Sequence, residues 1–209
     1  MTILKYILTA VCAYFLGSVS VSVLLSRGVM NTDVRAHGSG NAGATNMARV
    51  FGLRMGVVTL AGDMLKAALA MLAGFALLGE NGMCVAGALC LVGHCYPALH
   101  EFRGGKGVSV GAAVFLAADW RVLVIAVSFF ILTAFLSRKV SLGSLAAAIS
   151  GFAAAAYFAL PLPRLLLVAF TMLIVVLRHR ENIIRLIRGT EPDFTLGSDK
   201  RRQADKNRG

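Results

Sequence analysis

The chain has 209 residues, of which 57% are hydrophobic and only 15% charged, and its mean hydropathy is +0.75. A soluble domain carries roughly 45–50% apolar and about 25% charged residues, so disorder is excluded and an ordinary soluble globule is a poor fit. Lys+Arg number 21 against 10 Asp+Glu, a net charge of +11; because few of these charges interrupt the apolar sequence, they point to an integral membrane protein rather than to nucleic acid binding.

In chain order, Tyr6–Leu25 is the first apolar stretch. It is too long for the apolar core of a signal peptide and further spans follow, so it is expected to stay as the first helix. Met55–Leu78, Met83–Leu99, Val122–Leu136 and Leu142–Leu160 approach the ~20 residues that a helix needs to cross a bilayer. Leu165–Leu177 is shorter but strongly apolar, and Val108–Ala118 is the shortest candidate. Seven spans running from an outside N-terminus leave 17 of the 21 Lys and Arg residues inside, with Lys5, Arg121 and Arg164 outside and Lys66 within a span. This skew follows the positive-inside rule. The expectation is an all-α polytopic membrane protein of seven transmembrane helices with a cytoplasmic C-terminus. Residues 1–190 form the membrane domain, and 191–209 form a polar, basic, disordered tail resting on anionic headgroups.

Asp63 and Lys66 lie well inside a span, three residues apart on one helical face where they can pair, and read either as a structural pair packed inside the bundle, the favoured reading, or as a contact to the site. The four cysteines (Cys12, Cys84, Cys90 and Cys95) lack CxxC spacing and read as reduced, buried thiols. Gly143, Ala147 and Gly151 recur at four-residue spacing, suited to close helix packing within a monomer or between two.

The residues with chemical capacity gather in three connections that this topology brings to one face. His37–Arg49 contains Gly38-Ser-Gly-Asn-Ala-Gly43, a G-x-G-x-x-G match. A dinucleotide fold would need a preceding strand, and here a membrane span precedes the motif. What survives is general: glycines let main-chain N–H groups approach an anion, Ser39 and Thr45 add hydroxyls, and Arg49 adds a planar cationic fork. The second connection, Gly93–Gly107, ends in Arg103-Gly104-Gly105-Lys106-Gly107, which lacks the Ser/Thr of a Walker A loop but suits a phosphate cradle beside His94. In the third, Arg178-His-Arg-Glu-Asn182, His179 and Asn182 share a helical face, while Glu181 points elsewhere and is expected to tie Arg178 or Arg185. Asp33, Glu101 and Glu181 form no metal-binding array, so a metal-free phosphate reaction is expected.

These three ordered motifs resemble those of the bacterial acyl-phosphate:glycerol-3-phosphate acyltransferases, the PlsY family. The resemblance spans nearly the whole chain and departs mainly in the basic tail. It implies transfer of a fatty acyl group from acyl phosphate to sn-glycerol 3-phosphate, giving lysophosphatidate and phosphate at the cytoplasmic face of a bacterial inner membrane, with no cofactor and no nucleic acid partner. It implies too that neither acyl-CoA nor acyl carrier protein is the donor, and no H-x4-D motif occurs. By the same resemblance Ser39, Arg49 and Lys106 hold phosphate, with Asn41, Gly43, Thr45 and Asn46 shaping their loop. His94, Arg103, Gly104, Gly105 and Gly107 complete the second motif, and Ser144 faces the same pocket. His179 and Asn182 position glycerol 3-phosphate, and Glu181 braces the motif. His179, Lys106 and Arg49 are the expected catalytic residues. A membrane transporter of phosphate or an organophosphate is the alternative, which would place broken helices and its site near midplane.

Overall fold

The computed structural model describes residues 1–195, and every regular element among them is helical. The main helices are α1 (Thr2–Ser18), α2 (Val21–Met30), α3 (Ala44–Phe51), α4 (Leu53–Cys95), α5 (Val108–Ala118), α6 (Trp120–Ser137), α7 (Val140–Tyr157), α8 (Leu162–Arg178) and α9 (Arg180–Ile187). Among the described residues four helical runs are long and apolar enough to cross a membrane, five if the bent pair α8–α9 is one span.

One of those runs is not a single rod. Helix α4 is 43 residues long and breaks at Gly79, whose φ of 63° belongs to the left-handed region that glycine enters without strain. The chain there folds back on itself. Gly74 lies against Gly82, Met71 against Gly87 and Lys66 against His94, the pairing of two antiparallel arms, 53–78 and 80–95. At Gly74 and Gly82 a Cβ would run into the backbone of the opposite arm, so glycine is what lets the hairpin close.

The stretch expected as one helix over Tyr6–Leu25 is also divided. Helix α1 ends at Ser18 and Val19 is extended; α2 restarts after Ser20, whose side chain accepts the Val23 N–H as an N-cap. The break frees main-chain carbonyls within an apolar stretch, where they require a donor. Lys66 supplies it, its Nζ donating to Gly17 O at 2.9 Å and Val19 O at 2.6 Å.

Packing is distributed as lipid exposure demands. The core cluster is rich in Ala, Val and Cys, whereas large residues such as Phe129, Ile131, Leu132 and Phe135 of α6 are exposed. The small residues of α7 pack within the chain: Gly143 against Phe130 of α6 and Gly151 against the Phe115 ring of α5. At the tip of the α4 hairpin, Arg164 at the start of α8 donates to Glu80 at 2.8 Å and to the Ala118 carbonyl at 3.1 Å. All four cysteines are free; Cys90 and Cys95 are buried, Cys84 is half-buried, and Cys12 is exposed rather than buried because α1 presents that face outward.

Helices α8 and α9 meet at 59°, with His179 at the bend. The first residues beyond the expected boundary at 191 are hydrogen-bonded to the α6–α7 connection. Lys139 Nζ donates to Glu191 O at 2.5 Å, and the Phe194 N–H donates to Arg138 O at 2.9 Å. Composition shifts to polar at 191, but these residues close the site by hydrogen bonds, which hydropathy does not register. The remainder of the expected disordered tail, 196–209, lies outside the described residues.

Candidate active site

The first connection is organised by one buried amide. Asn46 Oδ1 accepts the Ser39 N–H at 2.9 Å, while its Nδ2 donates to the carbonyls of Val34, His37 and Asn41. Asn46 thus shapes the loop and has no donor left for a ligand. Arg35 grips Asp33, holding that carboxyl well below the usual range, and reaches His100 O at 3.0 Å to tie the first connection to the second.

In the second connection the glycines are needed for closeness more than for presenting donors. The Gly105 N–H donates to His94 O at 3.1 Å, and Arg178 donates to the carbonyls of both Gly105 and Gly104. A Cβ on Gly105 would collide with the His94 ring, and one on Gly104 with His94 O. Gly107 caps α5 at φ +84°. At Gly105 and Gly107 the chain packs closely against His94 and Leu91. Tertiary packing uses the groups that the motif alone left free.

The three connections converge on a cavity of about 220 Å³. It is lined by Ser39, Asn41, Gly43, Thr45, Asn46 and Arg49 from the first, and by His94 and Lys106 from the second. Ser144 of α7 and His179 and Asn182 at the α8–α9 bend complete it. First-turn residues of three helices also line it: Ala44 and Thr45 of α3, Val108 and Ser109 of α5, and Val140 and Ser141 of α7. Helix N-termini carry unpaired N–H groups and the positive end of the dipole, so the walls favour an anion. The Arg49 guanidinium makes no hydrogen bond or ion pair among the described residues.

Lys106 Nζ donates to Asn182 Oδ1 at 2.5 Å, and the Asn182 Nδ2 donates to Glu191 Oε1 at 2.7 Å. Glu191 also accepts from Ser141 at 2.5 Å and from Arg185 at 2.7 Å. The carboxylate that holds Arg185 is Glu191 rather than the expected Glu181. Glu181 is exposed and has no hydrogen-bond or ion-pair partner among the described residues, because α9 turns it away from the bundle. Glu191 holds Arg185 instead, and Arg178 holds the glycine carbonyls. The signal that could have found Glu191 is a carboxylate just beyond Arg185 and Arg188; the composition shift hid it.

Burial pushes the Lys106 ammonium down to about 8, although Glu191 opposes this. Burial likewise pushes His179 down to about 4, against the hydrogen bond to Val175 and with the help of the Lys106 charge. His179 Nδ1 lies 2.8 Å from Val175 O, which only accepts, so Nδ1 carries the proton. The neutral ring thus offers its Nε2 lone pair. Burial raises the Glu191 carboxyl but is outweighed by the hydrogen bonds from Ser141, Asn182 and Arg185, which hold it below the usual range.

Two further spaces adjoin the cavity. A cleft of about 360 Å³ is lined by Arg103, Gly104, Arg178, Arg180 and Glu181 and shares Ser39, Asn41 and Lys106 with the cavity. An apolar groove of about 400 Å³ runs between α4, α5, α6, α7 and α8, and shares Leu60, Val108, Phe130 and Ser144 with the polar cavity. The polar cavity and the apolar groove are therefore continuous.

Residues 7–189 match a family model described as glycerol-3-phosphate acyltransferase. Proteins of that name from Syntrophotalea carbinolica and Clostridioides difficile are 39% identical over 193 residues and 37% identical over 201. The alignments cover 91% of this chain in both cases, and 98% and 96% of the relatives. The crystal structure of PlsY, an integral membrane glycerol 3-phosphate acyltransferase, in its glycerol 3-phosphate form superposes with a TM-score of 0.85 at 31% identity, covering 91% of this chain and 96% of the other. Its lysophosphatidic acid form gives a TM-score of 0.83 at 30% identity, covering 91% and 95%. With this match over nearly its whole length, in a helical bundle whose polar cavity opens into an apolar groove, the chain belongs to the glycerol-3-phosphate acyltransferase family.

Proposed function

We propose that this protein transfers the fatty acyl group of an acyl phosphate to the 1-hydroxyl of sn-glycerol 3-phosphate, releasing 1-acylglycerol 3-phosphate and phosphate. The observation that carries this reading is the junction at Leu60, Val108, Phe130 and Ser144, where the anion-favouring cavity meets the apolar groove. A substrate with an acyl tail and a phosphate head spans that junction with its carbonyl between the two. Each methylene seated in the groove contributes about 0.8 kcal/mol. Arg49, Lys106 and the three helix N-termini supply charge for the phosphates of both substrates.

In the reaction the glycerol oxygen attacks the acyl carbonyl carbon and the bond from that carbon to the phosphate oxygen breaks. Phosphate is a good leaving group, so the protein mainly orients and stabilises charge; orientation can supply about 7–11 kcal/mol. His179 Nε2 accepts the glycerol hydroxyl as a hydrogen bond and aligns it. The proton passes to an oxygen of the departing phosphate, since an imidazole near 4 is a weak base. Asn182 holds Lys106 toward the developing negative charge.

The chain takes seven spans from an outside N-terminus and places this site at the cytoplasmic face of the inner membrane, in keeping with 17 Lys and Arg residues on one side. The test supplies purified protein with acyl phosphate and labelled glycerol 3-phosphate and follows lysophosphatidate. Product from acyl phosphate but not from acyl-CoA or acyl carrier protein is expected; absence of product from acyl phosphate would overturn the donor assignment. Reporter fusions at residue 80 should report the periplasmic side, and a cytoplasmic signal there would sink the topology.

A further inference from the structure

Three titratable groups lie where the arms of the α4 hairpin face each other, and the mechanism above uses none of them. Asp63 and Lys66 on one arm and His94 on the other are all nine-tenths or more buried. Lys66 Nζ lies 3.1 Å from Asp63 Oδ1 and 3.1 Å from His94 Nδ1. An ammonium has three protons, and here three acceptors receive them: Gly17 O, Val19 O and His94 Nδ1. Asp63 Oδ1 is the ion-pair partner of this cluster, 3.1 Å from Lys66 Nζ and 3.6 Å from His94 Nδ1, the longer contact falling to the ring. Its negative charge offsets the cost of burying the Lys66 ammonium beside it.

Because an ammonium cannot accept, the contact at Nδ1 fixes the histidine tautomer. His94 Nδ1 accepts, and its proton sits on Nε2. That edge of the ring faces Gly105, close enough that a Cβ there would collide with it. His94 lines the cavity, and its Nε2 has no partner among the described residues. An N–H held this way, on a ring that lines the anion-favouring cavity together with Lys106, matches a phosphoryl oxygen.

We propose that Asp63 and Lys66 are positioning residues that lock His94 as an Nε2–H donor to a substrate phosphoryl oxygen at the Gly104–Lys106 corner. The proposal rests on the phosphate-handling reading of the cavity, and does not depend on which acyl donor is used. His94 makes the contact; Asp63 and Lys66 act through it, and Lys66 ties it to the α1–α2 break.

The test uses the full chain in micelles, labelled with 15N-histidine, at neutral pH. The His94 signals are assigned by their loss in His94→Gln. The expected spectrum shows Nδ1 bare and Nε2 protonated, with the Nε2 resonance shifting as inorganic phosphate is titrated in. Lys66→Met should move His94 toward the Nδ1–H tautomer. In binding, His94→Ala should weaken phosphate about tenfold, the loss of one hydrogen bond to a charged group, and His94→Gln, which keeps an N–H donor, should recover most of it. An Nδ1–H tautomer or an imidazolium in the unmodified protein would overturn the proposal. So would a resonance indifferent to phosphate, or a Gln variant as weak as Ala. The wild-type spectrum and the Gln/Ala comparison decide the matter even where Lys66→Met fails to fold. If the donor assignment alone is wrong, these results stand and only lysophosphatidate from acyl phosphate is missing.

Discussion

His94 and His179 face one cavity from two unlike settings. His94 sits on a hairpin arm packed without a loop, its Nδ1 against the Lys66 ammonium. His179 sits at a 59° bend, its Nδ1 against a main-chain carbonyl at the end of α8. One partner can only donate and the other can only accept. The same side chain therefore becomes a donor at one wall and an acceptor at the other. The proposed reaction, in which a hydroxyl oxygen displaces a phosphate oxygen from an acyl carbon, uses a donor for the phosphate and an acceptor for the hydroxyl, and neither wall needs a charged imidazole to provide them.

Removing the group between these corners should break the comparison most severely. Lys106→Ala should lower kcat/KM about 100-fold or more, the scale of losing a donor aimed at developing charge, with helicity and melting behaviour retained. His179→Ala should follow at about 100-fold in kcat, with little change in phosphate binding. A His179 loss confined to KM would make the two histidines equivalent anion ligands.

The comparison also has a pH form. His179 is pushed to about 4 and must be neutral to accept, so activity should fall as pH drops through that value. Lys106 is pushed to about 8 and must be charged, so activity should fall as pH rises through it. In kcat/KM profiles, Lys106→Arg should remove the alkaline limb and leave the acid limb in place. Smaller effects separate the two glutamates. Glu191→Ala should cost about tenfold by releasing Asn182 and hence Lys106. Glu181→Ala should stay within about twofold, as expected of an exposed surface residue. Equal losses at both positions would mean that Asn182 does not depend on Glu191.

The membrane character, the helical segments and the membership of the three polar motifs were legible because each is a local property. A run such as Val108–Ala118 is apolar or it is not, and its helix spans the same residues in the structure. Asp63 and Lys66 were legible as a pair from their spacing. Their link to His94 was not, because 28 residues and a turn at one glycine separate Lys66 from the ring it orients. Glu191 was misplaced for a related reason. Hydropathy assigns it to a polar tail, whereas it is held by Ser141, Asn182 and Arg185, the first of them 50 residues away and all three positioned by the fold.

The amino-acid sequence by itself thus determined which segments partition into lipid and which side chains can hold phosphate, since transfer free energy and charge belong to the residues. Only the tertiary structure decided which of those side chains remain available. The Gly105 N–H is occupied by the His94 carbonyl, and the Asn46 amide is spent on shaping its loop. Arg49 and the Nε2 atoms of the two histidines are left open. A buried hydrogen-bonding group must find a partner, and which partners lie within 3 Å is settled by how the helices pack.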